Sequence, residues 1–236
     1  MENLEQKIIG ITFGIRFNRS FRVPEISGEI IDDILYSNKT PFGTKFFPRI
    51  QETRREKVLV NDETTEYLRI NTDDLILGLE VKDNFEEKFN FLTNDVLNYF
   101  KDVLFKNYGL KNIRRVGIIF AHKIDRDKGL DEAVKVLTKT KIDSVDNINI
   151  SFSKKLPATE ALYRKDVSDY KNTIYNLTEM EGAVLAELDY QYYYNPPIED
   201  LRECFVDKVL TDSKAFLKNN FHNWLKDVET KNEKVR

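Results

Sequence analysis

The chain has 236 residues, 41% of them hydrophobic and sixteen of them phenylalanine, which is ample for a packed core and excludes a disordered chain. Its 37 Lys and Arg nearly balance its 40 Asp and Glu, and a formal net charge of -3 excludes a global basic footprint for nucleic acid. Cys204 is the one cysteine, so no intramolecular disulfide can form, and a lone thiol suits a reducing compartment. The start Met1-Glu2-Asn3-Leu4-Glu5-Gln6-Lys7 lacks the basic and apolar runs of a signal peptide, and no window approaches a membrane span; a cytoplasmic location and no membrane partner are expected.

Residues 8–17 alternate, with Ile9, Ile11, Phe13, Ile15 and Phe17 on one face and Gly10, Thr12, Gly14 and Arg16 on the other, the pattern of a half-buried strand. Pro24 can open a helix carrying Ile26, Ile30, Ile31, Ile34 and Leu35, and Asn38, Pro41 and Gly43 break it. Strands are expected at 46–53 and 57–60, followed by a hairpin of 67–71 and 75–81 around Thr72-Asp73-Asp74. A long amphipathic helix then runs from about 85 to 108, closed by Gly109. The order starts again with a strand at 113–124, a helix at 129–139, strands near 147–153, 161–165, 171–177 and 183–193, a break at Asn195-Pro196-Pro197, and a closing helix over 198–226.

Ile9-Gly-Ile-Thr-Phe-Gly-Ile-Arg-Phe-Asn-Arg19 aligns without a gap on Val116-Gly-Ile-Ile-Phe-Ala-His-Lys-Ile-Asp-Arg126. Glycine, isoleucine, phenylalanine and the final arginine are identical. The fold class expected is α+β: an internally duplicated strand–helix–strands–helix unit, forming one largely antiparallel sheet with its helices on one face. The first repeat is assigned to 1–110 and the second to 111–236, in a single cooperative domain, because joining the two removes an exposed sheet edge.

No catalytic signature emerges. Phosphate loops, the dinucleotide fingerprint and nucleophile elbows are missing, and the scattered His122, Cys204 and His222 have no zinc spacing. No cofactor and no metal is expected. His122 aligns with core-facing Ile15 and reads as a buried structural histidine, and His222 as helix surface or packing. The acidic pairs Asp32-Asp33, Asp73-Asp74 and Glu86-Glu87 read as solvated or capping groups. Gly10 and Gly117 read as sites of close approach by another element.

The candidate binding residues come from the duplication. Arg16 and Lys123 are equivalent, as are Arg19 and Arg126, and Arg54 and Arg55 add a dense run, so a shared positive patch could position phosphates. In the tyrosine run 190–194, Tyr192 and Tyr194 share a face that could anchor a partner.

The stretch Arg115-Val116-Gly117-Ile118-Ile119-Phe120-Ala121-His122-Lys123-Ile124 resembles the Arg-Ile-Gly-Leu-Arg-Tyr-x-Asn-Arg-Ile-like strand of a sporadically distributed prokaryotic family of uncharacterised proteins of about 250 residues. Leu188-Asp189-Tyr190 matches that family's strand before the last helix. Ile119 and His122-Lys123 depart from its second arginine and its Asn-Arg pair. The resemblance carries no activity; patchy distribution implies accessory roles such as phage defence. The repeated order also resembles the duplicated saddle of TATA-binding-type proteins in topology, which implies a concave sheet face able to bind something.

These observations favour a non-catalytic binding or adaptor protein engaging a protein partner, a larger assembly or nucleic acid, with self-association open. The alternative is a metal-dependent enzyme acting on nucleic acid or nucleotides.

Overall fold

The computed structural model describes residues 7–53, 56–125, 149–157, 164, 167–180 and 183–225. The expected helix at 129–139 lies outside them, as does the expected strand at 161–165 apart from Arg164.

β1 (Ile8–Phe17) leads through α1 (Arg22–Tyr36) to β2 (Arg49–Glu52), β3 (Glu56–Val60), β4 (Tyr67–Asn71) and β5 (Asp74–Glu80). A continuous helical run, α2, follows from Phe85 to Tyr108, with wider π-type turns at Phe91–Val96 and Phe100–Phe105. Gly109 ends it in the left-handed region (φ 63), where a side chain would be strained. β6 (Ile113–Asp125), β7 (Asn149–Pro157), β8 (Tyr170–Met180) and β9 (Ala183–Ile198) come next. A short turn at Leu201–Glu203 precedes α3, which starts as Val206–Phe216, widens at Leu217–Phe221 and continues to residue 225.

All nine strands form one sheet in the order β2-β3-β4-β5-β1-β6-β9-β8-β7, and every pairing is antiparallel. The order is symmetric about β1–β6: β5 flanks β1 as β9 flanks β6, and β4 and β3 lie outside β5 as β8 and β7 lie outside β9. The register agrees with the sequence repeat. The alignment equates Thr12 with Ile119, and these two residues are directly paired; the flanking pairs Ile11↔Phe120 and Phe13↔Ile118 are each other's image. The twofold relation of the repeats therefore passes between Thr12 and Ile119.

Alternation divides the sheet into two faces. Ile11, Phe13, Ile15, Val116, Ile118, Phe120, Leu188 and Tyr190 face the helices and are 2% exposed or less. Helix α1 sets Ile30 and Ile34 on this face, α2 sets Phe89 and Phe100, and α3 sets Leu210 and Phe221. Burying each such side chain contributes about 1.5–3 kcal/mol. Phe120 joins the two halves: its ring lies 6.0 Å from Phe85 and 6.4 Å from Phe89, both on α2. Ion pairs tie α2 to α3, Lys101 to Asp207 at 2.7 Å and Glu86 to Lys214 at 2.5 Å. The hydrogen bond from Lys214 holds the Glu86 carboxyl below its usual range. Among the described residues no helix is long and apolar enough to cross a membrane.

Three expectations need correction. Asn195-Pro196-Pro197 does not end β9, which runs on to Ile198. Register jumps from Arg115↔Tyr193 to Ile113↔Ile198, so the prolines sit in a bulge where no ladder donor is required. The closing helix begins at Val206 rather than 198, because Phe205 adopts a positive φ (50) that no helix accommodates. Gly10 and Gly117 are not sites of close approach, since a Cβ there would make only ordinary contacts, at 3.6 and 3.5 Å. The close approach is at Gly78, where the Tyr67 ring lies across the backbone, 2.3 Å from the position a Cβ would take.

Replacing Phe120 with alanine should destabilise the protein by about 3–5 kcal/mol, read as a lower urea midpoint for the intact chain. A loss under about 1 kcal/mol would mean that the ring does not couple the sheet to α2.

Candidate functional site

No described helix covers the second face of the sheet. Gly10, Thr12, Gly14 and Arg16 of β1 lie on it, beside Arg115, Gly117, Ile119 and Ala121 of β6, and all eight are half-buried. The centre is a floor of small residues: Gly14 pairs with Gly117, and Gly10 with Ala121.

A polar row crosses one end of this face. Arg16 and Arg115 are directly paired across the β1–β6 ladder. On the β1 side Arg16 reaches Asp74 at 3.7 Å, Asp74 reaches Arg69 at 3.5 Å, and Arg69 reaches Glu56 at 3.9 Å. On the β6 side Arg115 donates to the Tyr193 hydroxyl at 3.2 Å, and its guanidinium lies 5.6 Å from that ring centre. Tyr193 stacks on Tyr170 with centroids 4.5 Å apart and planes 8° from parallel, and Lys155 caps the Tyr170 ring at 3.8 Å. Eight strands, β3 to β8 by way of the centre together with β7 at the far edge, thus contribute to the row, while β2 stands outside it.

A directed chain of hydrogen bonds runs inward from Arg115. Tyr193 donates to Gln191 Oε1 at 2.7 Å, and Gln191 Nε2 donates to Asp189 Oδ2 at 2.6 Å. Burial pushes the Asp189 carboxyl up to about 6, against the lowering effects of Gln191 and Arg115. Arg115 is thereby held in place through Tyr193 and Gln191 instead of by a carboxylate in contact. Among the described residues none lies within ion-pair distance of it. Placing two like charges side by side costs roughly 0.2–1 kcal/mol, offset only in part by the long Arg16–Asp74 pair.

The residues chosen from the sequence fare unevenly. Arg16 lies in the row. Lys123 is exposed at the other end of the face, eight residues along β6 from Arg115, or roughly 27 Å at strand rise. The two do not converge, because equivalence across an antiparallel twofold puts residues on opposite sides of the axis. Arg19 is exposed in the turn after β1, and Arg54, Arg55 and Arg126 lie outside the described residues. Tyr192 and Tyr194 are 1% and 4% exposed, on the helix-covered face, so they are not surface anchors. Tyr192 donates to Asp169 at 3.2 Å and Tyr194 to the Cys204 carbonyl at 2.6 Å, bonds that satisfy buried hydroxyls. The tyrosine that faces outward is Tyr193. Its partner Tyr170 has no signal in the sequence, and Arg115, one of the basic residues that add charge in the second half, is joined to Arg16 only by the strand register; the alternation in 190–194 is the available signal for Tyr193.

A second cluster lies in the core. The chain's two histidines, a hundred positions apart, meet with Nε2 atoms 3.0 Å apart, His122 on β6 and His222 on α3. His122 is fully buried and His222 is 6% exposed. One Nε2 must donate and the other accept, so the contact requires at least one neutral ring. Burial first, and then the neighbouring His222, push His122 down to about 3 from 6.5. Cys204 is buried, and burial raises its thiol far above the reactive range. Among the described residues no three His, Cys, Asp or Glu side chains are grouped to hold a metal ion.

No family model matches the chain, and no curated protein does. Among solved structures it is similar to Methanococcus jannaschii TBP, at 12% identity, covering 77% of this chain and 86% of that one, with a TM-score of 0.25. A likeness at that score carries no argument about fold or function.

The histidine pair sets a direction for acid sensitivity. Between about pH 6.5 and 3 the unfolded chain protonates His122 while the folded chain does not, so this group contributes stability that falls as pH falls through that window. Urea midpoints measured from pH 7 to 4 should decline less steeply in His122→Phe than in the parent. An unchanged slope would show that His122 ionises freely in the folded protein.

Proposed function

We propose that the protein is a non-catalytic binding or adaptor protein, and that the open sheet face is the surface on which a protein partner seats. The observation that supports this most directly is the face itself. A broad, half-buried floor of glycine, alanine, threonine and isoleucine is bordered by a pre-oriented row of arginines and stacked tyrosines. Arginine and tyrosine are the residue types that anchor protein interfaces, and a floor of small side chains lets a partner approach the backbone.

Charge distribution favours protein over nucleic acid. Glu56, Asp74, Glu80, Glu187 and Asp189 stand on the same face as Arg16, Arg69, Arg115 and Lys123. A polyphosphate backbone laid across it would meet carboxylates as often as cations, whereas a mosaic of both signs suits a protein surface. The alternative of a metal-dependent enzyme needs carboxylates converging on one point. Here they are engaged separately: Asp74 between Arg16 and Arg69, Glu80 with the Thr65 amide at 3.2 Å, and Asp189 with Gln191.

Native mass spectrometry of the protein isolated gently from its host should reveal a protein-sized mass increment. Ile119→Glu, placed at the centre of the face, should abolish it without lowering the urea midpoint by more than about 1 kcal/mol equivalent. An increment that survives Ile119→Glu would remove the open face from the function.

A further inference from the structure

Within the open face, Gly14 and Gly117 are out of keeping with the packing around them. Both lie in mid-strand, directly paired, where glycine costs stability relative to any residue with a side chain. Neither has the positive φ that would demand glycine; among the described residues that conformation occurs in glycines only at Gly43 and Gly109. Nor does a neighbour exclude a side chain. A Cβ on Gly14 would meet Ile76 Cγ1 at 3.6 Å, and one on Gly117 would meet Gln191 Cγ at 3.5 Å, both ordinary contacts. Gly78, with Tyr67 across it, shows what a glycine required by packing looks like in this fold. No contact among the described residues thus accounts for the bare patch at Gly14–Gly117.

What borders the patch is equally specific. Two residues along each strand toward one side stand Arg16 and Arg115, and two residues toward the other stand Thr12 and Ile119. A guanidinium carries five N–H donors. Among the described residues Arg115 uses one of them, on Tyr193, and Arg16 has only the long contact to Asp74. The chain Arg115–Tyr193–Gln191–Asp189 and the Tyr193–Tyr170 stack fix Arg115 before any ligand arrives.

Resting on the reading of the open face as a partner surface, we propose that this notch receives a single carboxylate borne by a protein partner, held between Arg16 and Arg115. Its carbon stem lies on the glycine floor against Thr12 and Ile119. The chemistry is that of guanidinium forks, which bind a planar carboxylate through paired N–H donors. Two like-charged side chains placed together are relieved when an anion binds between them. The carboxylates of Asp74 and Asp189 nearby limit the notch to one anionic group and disfavour a phosphate array. The carboxylate can come from an Asp or Glu side chain or from a chain terminus, and the two sources are separable by experiment.

The test is an amide-shift titration of the full chain at low salt with four probes. These are a C-terminally amidated hexaglutamate, a glutamate-free hexapeptide with a free C-terminus, inorganic phosphate and a short DNA duplex. Saturable shifts at Gly14, Arg16, Arg115 and Gly117 with one or both peptides are expected, and which peptide responds identifies the source. Arg115→Ala and Gly117→Val should each weaken that peptide at least about tenfold, with Gly117→Ala and Arg115→Lys intermediate as variants that keep the fold. Absence of peptide shifts at these residues, equal affinity in the variants, or tighter binding of DNA at the notch would overturn the proposal. Retention of the native partner's mass increment in Gly117→Val and Arg115→Ala, with its loss in Ile119→Glu, would dismiss the notch and leave the open face standing.

Discussion

The pairing of β1 with β6 is the constraint from which the rest of the structure follows. Each half brings strands and helices that cannot close a core alone, since the strand at its inner margin would otherwise be a naked edge. Joining those edges makes a sheet of nine described strands in which β2 and β7 stand at opposite ends. The same pairing fixes the register in which Phe13 and Phe120 both face the helices, and it sets Gly14 against Gly117 and Arg16 against Arg115 on the opposite face. A slip of one residue would turn one strand over against the other and put one of the two arginines into the core. Core burial and the make-up of the open face are thus specified together by one ladder.

The helix-covered face binds the halves through packing and the open face does not. Phe85 and Phe89 from the first half close on Phe120 from the second, and Lys214 from α3 lies over the Phe89 ring at 4.6 Å while pairing with Glu86. Several polar groups that enter this side find partners there, as with Tyr194 on the Cys204 carbonyl and the His122–His222 contact. On the open side Arg16 Nε and Arg69 Nε have no hydrogen-bond acceptor among the described residues, and the floor lacks side chains that its described neighbours would allow.

Much of this fold was legible in the sequence, because period-2 and period-3.6 patterns are strong where one face is buried. The alternation of 11–17, the apolar stripe of 22–36, the Thr72-Asp73-Asp74 turn and the Gly109 stop each correspond to an observed element. Ile9, expected on the buried face, is instead exposed, because the register shifts between Ile8 and Gly10 and turns Ile8 inward. The repeat further indicated a twofold sheet. It did not indicate where the axis falls, and that position decides which side chains meet. Arg16 and Lys123 are equivalent yet lie at opposite ends, four residues either side of Thr12–Ile119, whereas Arg16 and Arg115 are inequivalent and adjacent. Propensity also misjudged Asn195-Pro196-Pro197: proline breaks a strand only where its missing N–H is needed, and the bulge beside Ile113 does not need it. Tyrosine clusters posed a similar ambiguity, since Tyr192 and Tyr194 fill the core while Tyr193, between them, faces out.

The central claim is that a partner occupies the open face rather than the helical side. Site-specific photocrosslinking tests it most directly, with a benzophenone side chain introduced at Thr12 on the open face or at exposed Asn94 on α2. The account predicts a crosslinked protein of defined mass from position 12 and none from position 94. Crosslinking from position 94 with none from position 12 would contradict it.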